Sequence, residues 1–501
     1  MSLIKNTIAN YIGQGYTILI GIVTIPLYLQ YLGASAFGLI GLFTVLQTWL
    51  RSFDLSLMPT FAREIAFRRN QSFCFSEIKK LLHSLEILFL IVAVVITLGV
   101  MFSSHWLASH WLQTETLSTA EVASCITLMG IMIALRWFSD LYRAGLQGLE
   151  RQVWLNAINI FILSLQYLGG WTLLRFATTN PLHFFEYQLC IAVIELWIIG
   201  IQCYRFMPST PNRFIFSWKA IKQILPFTTS LAYVGTLYLL LTQLDKLLLS
   251  HILSLSNYGY FSLVIMMAGA VSLLSGPISQ AILPKMTSLL SQQKEEELIK
   301  LYRNATQIMA VVVFSVTGII ALFPVELLYI WTGNHATAIW GGPILFWYVL
   351  GNGCVTISAF QFYLQYAYGN LRLHVIYNTF LAVIWVPLII WTTFHYGAMG
   401  AAILWFVMNV ISFCIWTPII HRQYAPGIHY SWLFKDLLPI LLSTIITLLI
   451  FTRISFHFSI LSKLEALATL CYLSAIILIV NGFFSSLCRG WIIKTLKIRT
   501  P

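Results

Sequence analysis

Long apolar runs separated by short polar segments repeat along the whole chain. A helix needs about 20 apolar residues to cross the hydrocarbon of a bilayer. The pattern therefore predicts an all-α integral membrane protein with about 14 transmembrane helices. The predicted spans are 10–32, 37–58, 81–103, 117–141, 153–175, 182–204, 224–252, 257–283, 304–330, 337–364, 373–394, 397–420, 434–452 and 461–485.

Lysine and arginine are distributed unevenly between the two sides that these spans define. Most of them follow even-numbered spans, as in the segments 63–80 and 205–222. The opposite side has Arg175, Arg453 and Lys463. Because basic loops stay on the cytoplasmic side of an inner membrane, we expect both termini to lie in the cytoplasm.

The sequence also resembles itself at a shift of 221 residues. The segment YLGASAFGLIGL (31–42) aligns with ILSLSNYGYFSL (252–263), and the same shift pairs Gly148 with Gly369. We infer two parallel six-helix repeats related by an axis along the membrane normal. The predicted parts are an N-terminal bundle (1–206), a cytoplasmic linker (207–222), a second bundle (223–422), and helices 13–14 with a basic cytoplasmic tail (423–501).

Composition supports a membrane protein and limits its chemistry. The chain is 59% hydrophobic and 9% charged, which would leave a soluble protein with too much exposed apolar surface. Its net charge of +12 lies mostly in the short segments between spans, so nucleic acid is not an expected partner. The eight cysteines show no CxxC spacing and indicate neither a disulfide framework nor a metal site.

Motifs for nucleotide hydrolysis and metal-dependent catalysis are absent from the sequence. It has no GxxxxGK[ST] phosphate loop and no HExxH. We therefore expect no cofactor, and a protein that is not an enzyme. The charged run QQKEEELIK (292–300) predicts a solvated cytoplasmic linker.

Helices 1 and 7 each carry a polar face. Spacings of three and four place residues on one side of a helix. In helix 1 these residues are Asn10, Gln14, Thr17, Gly21 and Thr24, and in helix 7 they are Gly235, Tyr238, Thr242 and Asp245. The two faces line a central cavity between the bundles, where transporters hold substrates, or they form close helix contacts, which small residues also favour.

The stretch LTQLDKLLLSHI (241–252) places Asp245 and Lys246 inside an apolar helix. Adjacent residues lie about 100° apart around a helix, so the two side chains are not expected to stack as an i,i+4 pair. Lys246 lies six residues from the predicted helix end. Its amine therefore lines the cavity or extends to the periplasmic headgroups.

Other charged residues also lie in or beside the spans. Arg51 precedes Asp54 by three residues, and Arg136 precedes Asp140 by four. Each pair is a local ion pair near the interface or a pair of cavity charges, because intramembrane charges tend to face an interior or water. Glu195 stands alone in span 6. It is a candidate proton or cation site, or a neutral acid bonded to a neighbouring helix.

Three segments resemble a known family. They are NTIANYIGQGYTILIGIVTIPLYLQYLGASAFGLIGL (6–42), LYRAGLQGLERQ (141–152) and QLDKLLLSHILSLSNYGYFSL (243–263). They are similar to segments of bacterial O-antigen and polysaccharide flippases of the Wzx type, in the multidrug/oligosaccharidyl-lipid/polysaccharide exporter superfamily. The resemblance extends from residue 1 to about 420.

The resemblance implies two six-helix bundles in a V shape that open alternately to each side of the bacterial inner (cytoplasmic) membrane. The implied cargo is an oligosaccharide repeat unit on undecaprenyl pyrophosphate, and helices 13–14 would guide its lipid tail. A pyrophosphate needs fixed cations, so we expect Arg51, Arg136 and Lys246 to bind it in successive states. Membrane lipids, polymerase and chain-length machinery, and H⁺ or Na⁺ are the further candidate partners.

Two alternatives stay open at this point. A drug or metabolite antiporter of the same superfamily would be coupled to H⁺ or Na⁺ and would use cavity carboxylates such as Asp54, Asp140, Glu195 and Asp245. A membrane-embedded enzyme acting on lipid-linked sugars would need catalytic groups clustered at one membrane face.

Overall fold

The computed structural model describes residues 3–51, 57–68, 75–207, 216–454, 456, 458 and 461–490. These residues form helices and short connections. Within them, β structure is limited to an isolated bridge between Gln113 and Ser254.

The chain divides into two compact units, Met1–Gly259 and Tyr260–Pro501. The first contains α1 (Leu3–Arg51), α2 (Leu57–Arg68), α3 (Phe75–Trp106), α4 (Thr119–Gly148), α5 (Gln152–Ser164), α6 (Gly170–Phe176), α7 (Pro181–Phe206), α8 (Trp218–Ile252) and the start of α9 (Leu255–Leu273). The second continues with α10 (Ser275–Ser291), α11 (Glu295–Leu322), α12 (Pro324–Thr332), α13 (His335–Ala367), α14 (Arg372–Tyr424), α15 (His429–Ser431), α16 (Leu438–Phe451) and α17 (Lys463–Phe484). Short π-helical segments at Leu107–Trp111, Leu165–Gly169 and Trp432–Leu437 extend or join these helices. This division is based on how compactly the residues pack. The predicted linker at 207–222 is based on the internal sequence repeat instead. The predicted repeat boundaries therefore stay a prediction.

The helices have the length and surface of membrane spans. Within the described residues, ten candidate spans are long and apolar enough to cross a bilayer. Many of their large apolar side chains are exposed, among them Leu90, Ile91, Val94 and Val95 of α3. A lipid environment covers such surfaces. The prediction of an all-α, multi-pass membrane protein is confirmed.

Two long helices bend sharply where the sequence predicts a break between spans. In α1 the bend is at Gly33, with φ 78° and ψ 171°. In α14 it is at Gly397, with φ 59° and ψ −145°. Glycine adopts a positive φ without steric cost. Each helix therefore contains two of the predicted spans.

At three other places the prediction differs from the structure. The predicted span 257–283 is divided at Leu274, between α9 and α10. The predicted span 304–330 is divided at Phe323, before Pro324, which has no N–H to continue the helix. The charged run 292–300, predicted as a linker, is helical from Glu295. Glutamates in a first turn stabilise a helix through its dipole.

Local capping fixes the start of α4 and α7, which carry four of the charged side chains of the site described below. The Ser118 hydroxyl accepts a hydrogen bond from the Glu121 amide at 3.2 Å. The Asn180 carboxamide oxygen accepts one from the Leu182 amide at 2.7 Å, beside Pro181 in the first turn. These caps satisfy amides that lack a partner within the helix. Buried apolar side chains, including Trp137 and Leu141 of α4, then pack the helices together.

The second half of α1 crosses α9 in close contact at two glycines. A Cβ at Gly38 would lie 2.2 Å from the Leu255 carbonyl oxygen, and a Cβ at Gly259 would lie 2.3 Å from the Ala34 carbonyl oxygen. The two contacts are reciprocal, and each glycine lies 221 residues from the other. Nearby, the hydroxyls of Ser35 and Ser256 are hydrogen bonded at 2.7 Å, again 221 residues apart. Residues aligned by the internal similarity thus meet each other directly.

In the second unit, buried polar side chains join α16 and α17 to α11. The Asn481 amide donates to Ser315 at 2.9 Å and to Thr444 at 2.8 Å. Asp436 is 2% exposed and accepts hydrogen bonds from Arg303 at 2.5 Å and Gln307 at 2.6 Å. Interhelical hydrogen bonds of this kind stabilise membrane helix packing. The predicted extra helix pair is therefore docked on α11.

Candidate functional site

One face of α4 carries four polar side chains at successive spacings of four, three and four residues. They are Arg136, Asp140, Arg143 and Gln147. Helices α1, α5 and α7 contact α4 within the first unit and supply partners for these groups. We define the α4 cluster as Gln47, Arg51, Arg136, Asp140, Arg143, Asn159 and Glu195.

Arg51, at the end of α1, pairs with Asp140 of α4. Its Nε donates to Asp140 Oδ2 at 2.9 Å, and its Nη2 donates to the same oxygen. The Arg51 side chain is 49% exposed. Asp54, the predicted neighbour of Arg51, lies outside the described residues. The alternative in which Asp140 pairs with Arg136 on its own helix is wrong, because the carboxylate turns to α1 instead.

Arg136 lies deeper along α4 and meets no carboxylate within ion-pair distance in the described part of the chain. Its Nη1 donates to Gln47 Oε1 at 3.1 Å, and its Cζ lies 5.1 Å from the centroid of the Phe43 ring. Its Nε is buried and has no hydrogen-bond partner among the described residues. A guanidinium has five N–H donors. Arg136 therefore keeps a positive charge and donors that the described protein groups leave unused.

Glu195 is ion paired, which corrects the prediction that it stands alone. Arg143 Nη2 donates to Glu195 Oε1 at 2.6 Å, and the two side chains are 20% and 8% exposed. Arg143 Nη1 also donates to Asn159 of α5. The other oxygen of Glu195 faces Gln166 Nε2 at 3.4 Å. The structure therefore gives Glu195 a partner on a neighbouring helix, as the second alternative had it, and that partner is an arginine.

Arg143 is a site residue that the sequence prediction missed. The predicted span ended at residue 141, which placed Arg143 in a loop, whereas α4 continues to Gly148. The signal was available, since Arg143 follows Arg136 by seven residues, or two helical turns. Gln47 could have been predicted in the same way, because it lies four residues before Arg51 and therefore on the same face of α1.

The polar face of helix 1 divides between a cavity and helix packing. Asn10 and Gln14 line a cavity of about 360 Å³ beside Arg143. Thr17 is exposed, and its hydroxyl donates to the Gly13 carbonyl at 2.8 Å. Thr24 is fully buried and donates to the Ile20 carbonyl at 2.7 Å. For Thr24, the close-packing alternative is the one observed.

On α8, Asp245 and Lys246 contact each other despite being adjacent. Lys246 Nζ lies 3.1 Å from Asp245 Oδ1 and 2.5 Å from the Thr242 carbonyl oxygen. The long lysine side chain folds back by one turn, so the expectation that adjacent side chains stay apart is wrong. The amine also points away from the end of α8, which is contrary to the alternative in which it extends to the headgroups.

Tyr238 and Thr242 are the other two residues of α8 that were predicted to line the cavity. Tyr238 is 67% exposed. The Thr242 hydroxyl donates to the Tyr238 carbonyl at 2.7 Å, a bond within the helix. The side chains of Asp245 and Lys246 are only 8% and 14% exposed. The structure thus buries an ion pair on α8, and Tyr238 lies exposed about two turns earlier on the same helix.

The α4 cluster has an excess of positive charge. Among its described members, three guanidinium groups face two carboxylates. Arg51 and Arg143 are ion paired, and Arg136 is the group whose charge is unbalanced. Guanidinium groups suit phosphate oxygens because their donors match the oxygens in pairs. The cluster can therefore bind an anion.

The fold is similar to that of several solved membrane transporters. At 14% sequence identity and a TM-score of 0.74, the chain is similar to a structure titled "Lipid II flippase MurJ, inward closed conformation", which covers 98% of this chain and 100% of its own. At 14% identity and a TM-score of 0.61, it is similar to an inward-facing multidrug resistance MATE transporter of the MOP superfamily, with 82% and 96% covered. A MOP superfamily transporter from Pyrococcus furiosus has 16% identity and a TM-score of 0.52, with 84% and 95% covered.

A sequence-family model adds the particular family. The model described as "Polysaccharide biosynthesis protein" matches residues 3–290, more than half of the chain. The chain therefore belongs to the polysaccharide biosynthesis protein family. No curated protein matches the sequence.

Proposed function

We propose that the protein is a flippase that moves an undecaprenyl-pyrophosphate-linked oligosaccharide repeat unit from the cytoplasmic to the periplasmic leaflet by alternating access. Membership in a polysaccharide biosynthesis family supports a glycan cargo. The fold that it shares with a lipid II flippase over nearly the full length of both chains supports a lipid-linked one. In this proposal the protein lies in the bacterial inner membrane with both termini cytoplasmic.

The observation that carries the proposal is the unbalanced guanidinium of Arg136. A charge at membrane depth is costly and tends to face a partner or water. Within the described residues, Arg136 contacts an amide and an aromatic ring, and no carboxylate lies within ion-pair distance of it. A pyrophosphate group would supply the missing negative charge and acceptor oxygens.

Arg51 provides a second contact for the same headgroup. Its side chain is half exposed, and its ion-pair partner within the described residues is Asp140. An exposed ion pair is weak, typically about 0–1 kcal/mol. A pyrophosphate can therefore exchange with Asp140 for Arg51 at small cost. Lys246 is a later contact in the proposed sequence, after Asp245 releases it.

Arginine variants in cells test this proposal. We expect Arg51→Ala and Arg136→Ala to lose surface polysaccharide, by roughly tenfold or more for Arg136→Ala, because charge-assisted contacts to the headgroup are removed. Membrane levels of the variants should stay normal by immunoblot. The matched control is Arg175→Ala, whose guanidinium lies over the rings of Trp171 and Phe176.

Normal surface polysaccharide in both cluster variants would contradict the proposal. The antiporter alternative predicts a different result, in which deletion of the gene increases drug sensitivity while surface polysaccharide is intact. The similarity to MATE transporters makes that comparison necessary. Buried carboxylates, which the antiporter would use, are present at Glu195 and Asp245, and both are ion paired.

A further inference from the structure

A cavity lined by side-chain amides lies next to the α4 cluster, among α1, α4 and α5. Its volume is about 360 Å³. Its lining comprises six amide side chains, one guanidinium and one leucine: Asn10, Gln14, Gln147, Gln152, Asn156, Asn159, Arg143 and Leu155. Ligand sites of small molecules are usually about 300–1,000 Å³ and mostly apolar. This cavity has a sufficient size and an unusually polar lining.

Asn156 is fixed in this cavity by neighbouring groups. Its Nδ2 donates to Asn10 Oδ1 at 2.6 Å and to the Gln152 carbonyl at 2.8 Å. Gly13 of α1 makes this approach possible, because a Cβ there would lie 2.4 Å from Asn156 Oδ1. Hydrogen bonds therefore hold one wall of the cavity in place.

Three other amides are available to a ligand. The side chains of Gln14, Gln147 and Gln152 make no hydrogen bond to any residue that the structure describes. Each carboxamide can donate two hydrogen bonds and accept two. A sugar hydroxyl also both donates and accepts. The free groups of the cavity therefore match a polyhydroxylated ligand.

The amide cavity and the surroundings of Arg136 differ in their charge balance. Arg143 is the charged residue of the lining, and it already donates to Glu195 and Asn159. Its charge is balanced by the Glu195 carboxylate at 2.6 Å. A phosphate group in this cavity would therefore gain little electrostatic attraction, and Arg143 needs no second carboxylate to balance its charge. The balance favours a neutral ligand, whereas Arg136 favours an anion.

We propose that the amide cavity binds the saccharide part of the transported lipid, a proposal that rests on the flippase function proposed above. Arg143 follows Arg136 by seven residues on α4, about 10.5 Å at ~1.5 Å per residue. A pyrophosphate at Arg136 therefore places the attached sugars within reach of the amides. The cavity volume holds one or two sugar rings rather than a complete repeat unit.

Binding of two defined lipids to the purified full-length protein tests this assignment. The probes are undecaprenyl pyrophosphate and undecaprenyl pyrophosphate carrying one N-acetylhexosamine. We expect wild-type protein to bind the glycosylated probe about tenfold more tightly. The double variant Gln147→Met/Gln152→Met, which keeps the side-chain length and removes the amides, should lose that preference. The matched control is Gln292→Met, at a position that does not line the cavity.

The outcomes separate the two proposals. If wild-type protein binds both lipids equally, or if the double variant keeps the preference, the saccharide site is overturned and the flippase function stands. If wild-type protein binds neither lipid, the proposed function fails and the saccharide site fails with it. Gln14→Met repeats the test from α1, so that misfolding of one variant does not decide the result.

Discussion

Arg136 and Arg143 lie on one face of α4 but differ in how their charge is balanced. Arg143 is held by Glu195 of α7 and Asn159 of α5. Arg136 is held by Gln47 and the Phe43 ring. A neutral amide fixes the position of a guanidinium without cancelling its charge. The charge of Arg143 is therefore balanced within the protein, whereas we propose that a ligand balances the charge of Arg136.

The Arg143–Glu195 pair should be measurable by a double-mutant cycle. Glu195→Gln leaves a mostly buried guanidinium without its carboxylate, and we expect a loss of about 3 kcal/mol. Arg143→Met should cost a similar amount. The double variant Arg143→Met/Glu195→Gln should be less destabilised than the sum of the single variants. The measurement is thermal unfolding of purified protein in detergent.

Additive effects of the two substitutions would contradict the assigned pair. The control cycle uses Lys80 and Glu77, an exposed i,i+3 pair at 2.8 Å, for which coupling should be small.

At the residue scale the sequence identified the charged residues of the α4 cluster except Arg143, but it did not identify their partners. Local spacing suggested that Arg136 pairs with Asp140 and that Glu195 stands alone. The observed pairs join different helices, with Arg51 bonded to Asp140 and Arg143 to Glu195. Helical periodicity identifies which residues share a face of one helix. It contains no information about which other helix that face meets.

At the scale of helices, the α1–α9 crossing depends on two glycines, which have no side chain to separate the helices. Carbonyl oxygens approach Gly38 and Gly259 so closely that a methyl group at either position overlaps the opposite backbone. Small residues allow such close helix contacts in membranes. The reciprocal contacts also place aligned residues of the two predicted repeats face to face.

We expect Gly38→Ala and Gly259→Ala to destabilise the protein by about 1–3 kcal/mol each, because the new Cβ must push the helices apart. Gly15→Ala and Gly99→Ala are the matched controls, since nothing lies within 4 Å of a Cβ at either position. The controls should keep or slightly raise the melting temperature, as alanine favours a helix over glycine. Equal melting temperatures for Gly38→Ala and Gly15→Ala would show that the crossing is not close packed.

The sequence predicted the helices better than their breaks. The predicted gaps between spans 10–32 and 37–58 and between spans 373–394 and 397–420 fall at or next to the bends at Gly33 and Gly397, where glycine adopts a positive φ. The break at Phe323 was missed although Pro324 follows it. The break at Leu274 was missed in the same way, although Gly276 and Pro277 follow it in the first turn of α10. A Gly-Pro pair is a local signal for the end of one helix and the start of another.

At the scale of the whole molecule, the chain has a fold similar to that of solved membrane transporters and a helix pair docked on α11. The lipid II flippase structure aligns with 98% of the chain, whereas the MATE transporter and the Pyrococcus furiosus transporter align with 82% and 84%. Family membership adds polysaccharide biosynthesis. Together with the unbalanced Arg136, these findings support a lipid-linked glycan as cargo.

Leaflet transfer in liposomes tests that claim most directly. Purified protein would be reconstituted with a fluorescent undecaprenyl-pyrophosphate-linked oligosaccharide, and transfer followed by the access of a membrane-impermeant quencher, with a proton gradient in either direction and without one. The account predicts transfer in wild-type liposomes and at least about tenfold slower transfer with Arg136→Ala at equal protein density. Transfer by wild-type protein no faster than in protein-free liposomes, under all three conditions, would contradict it.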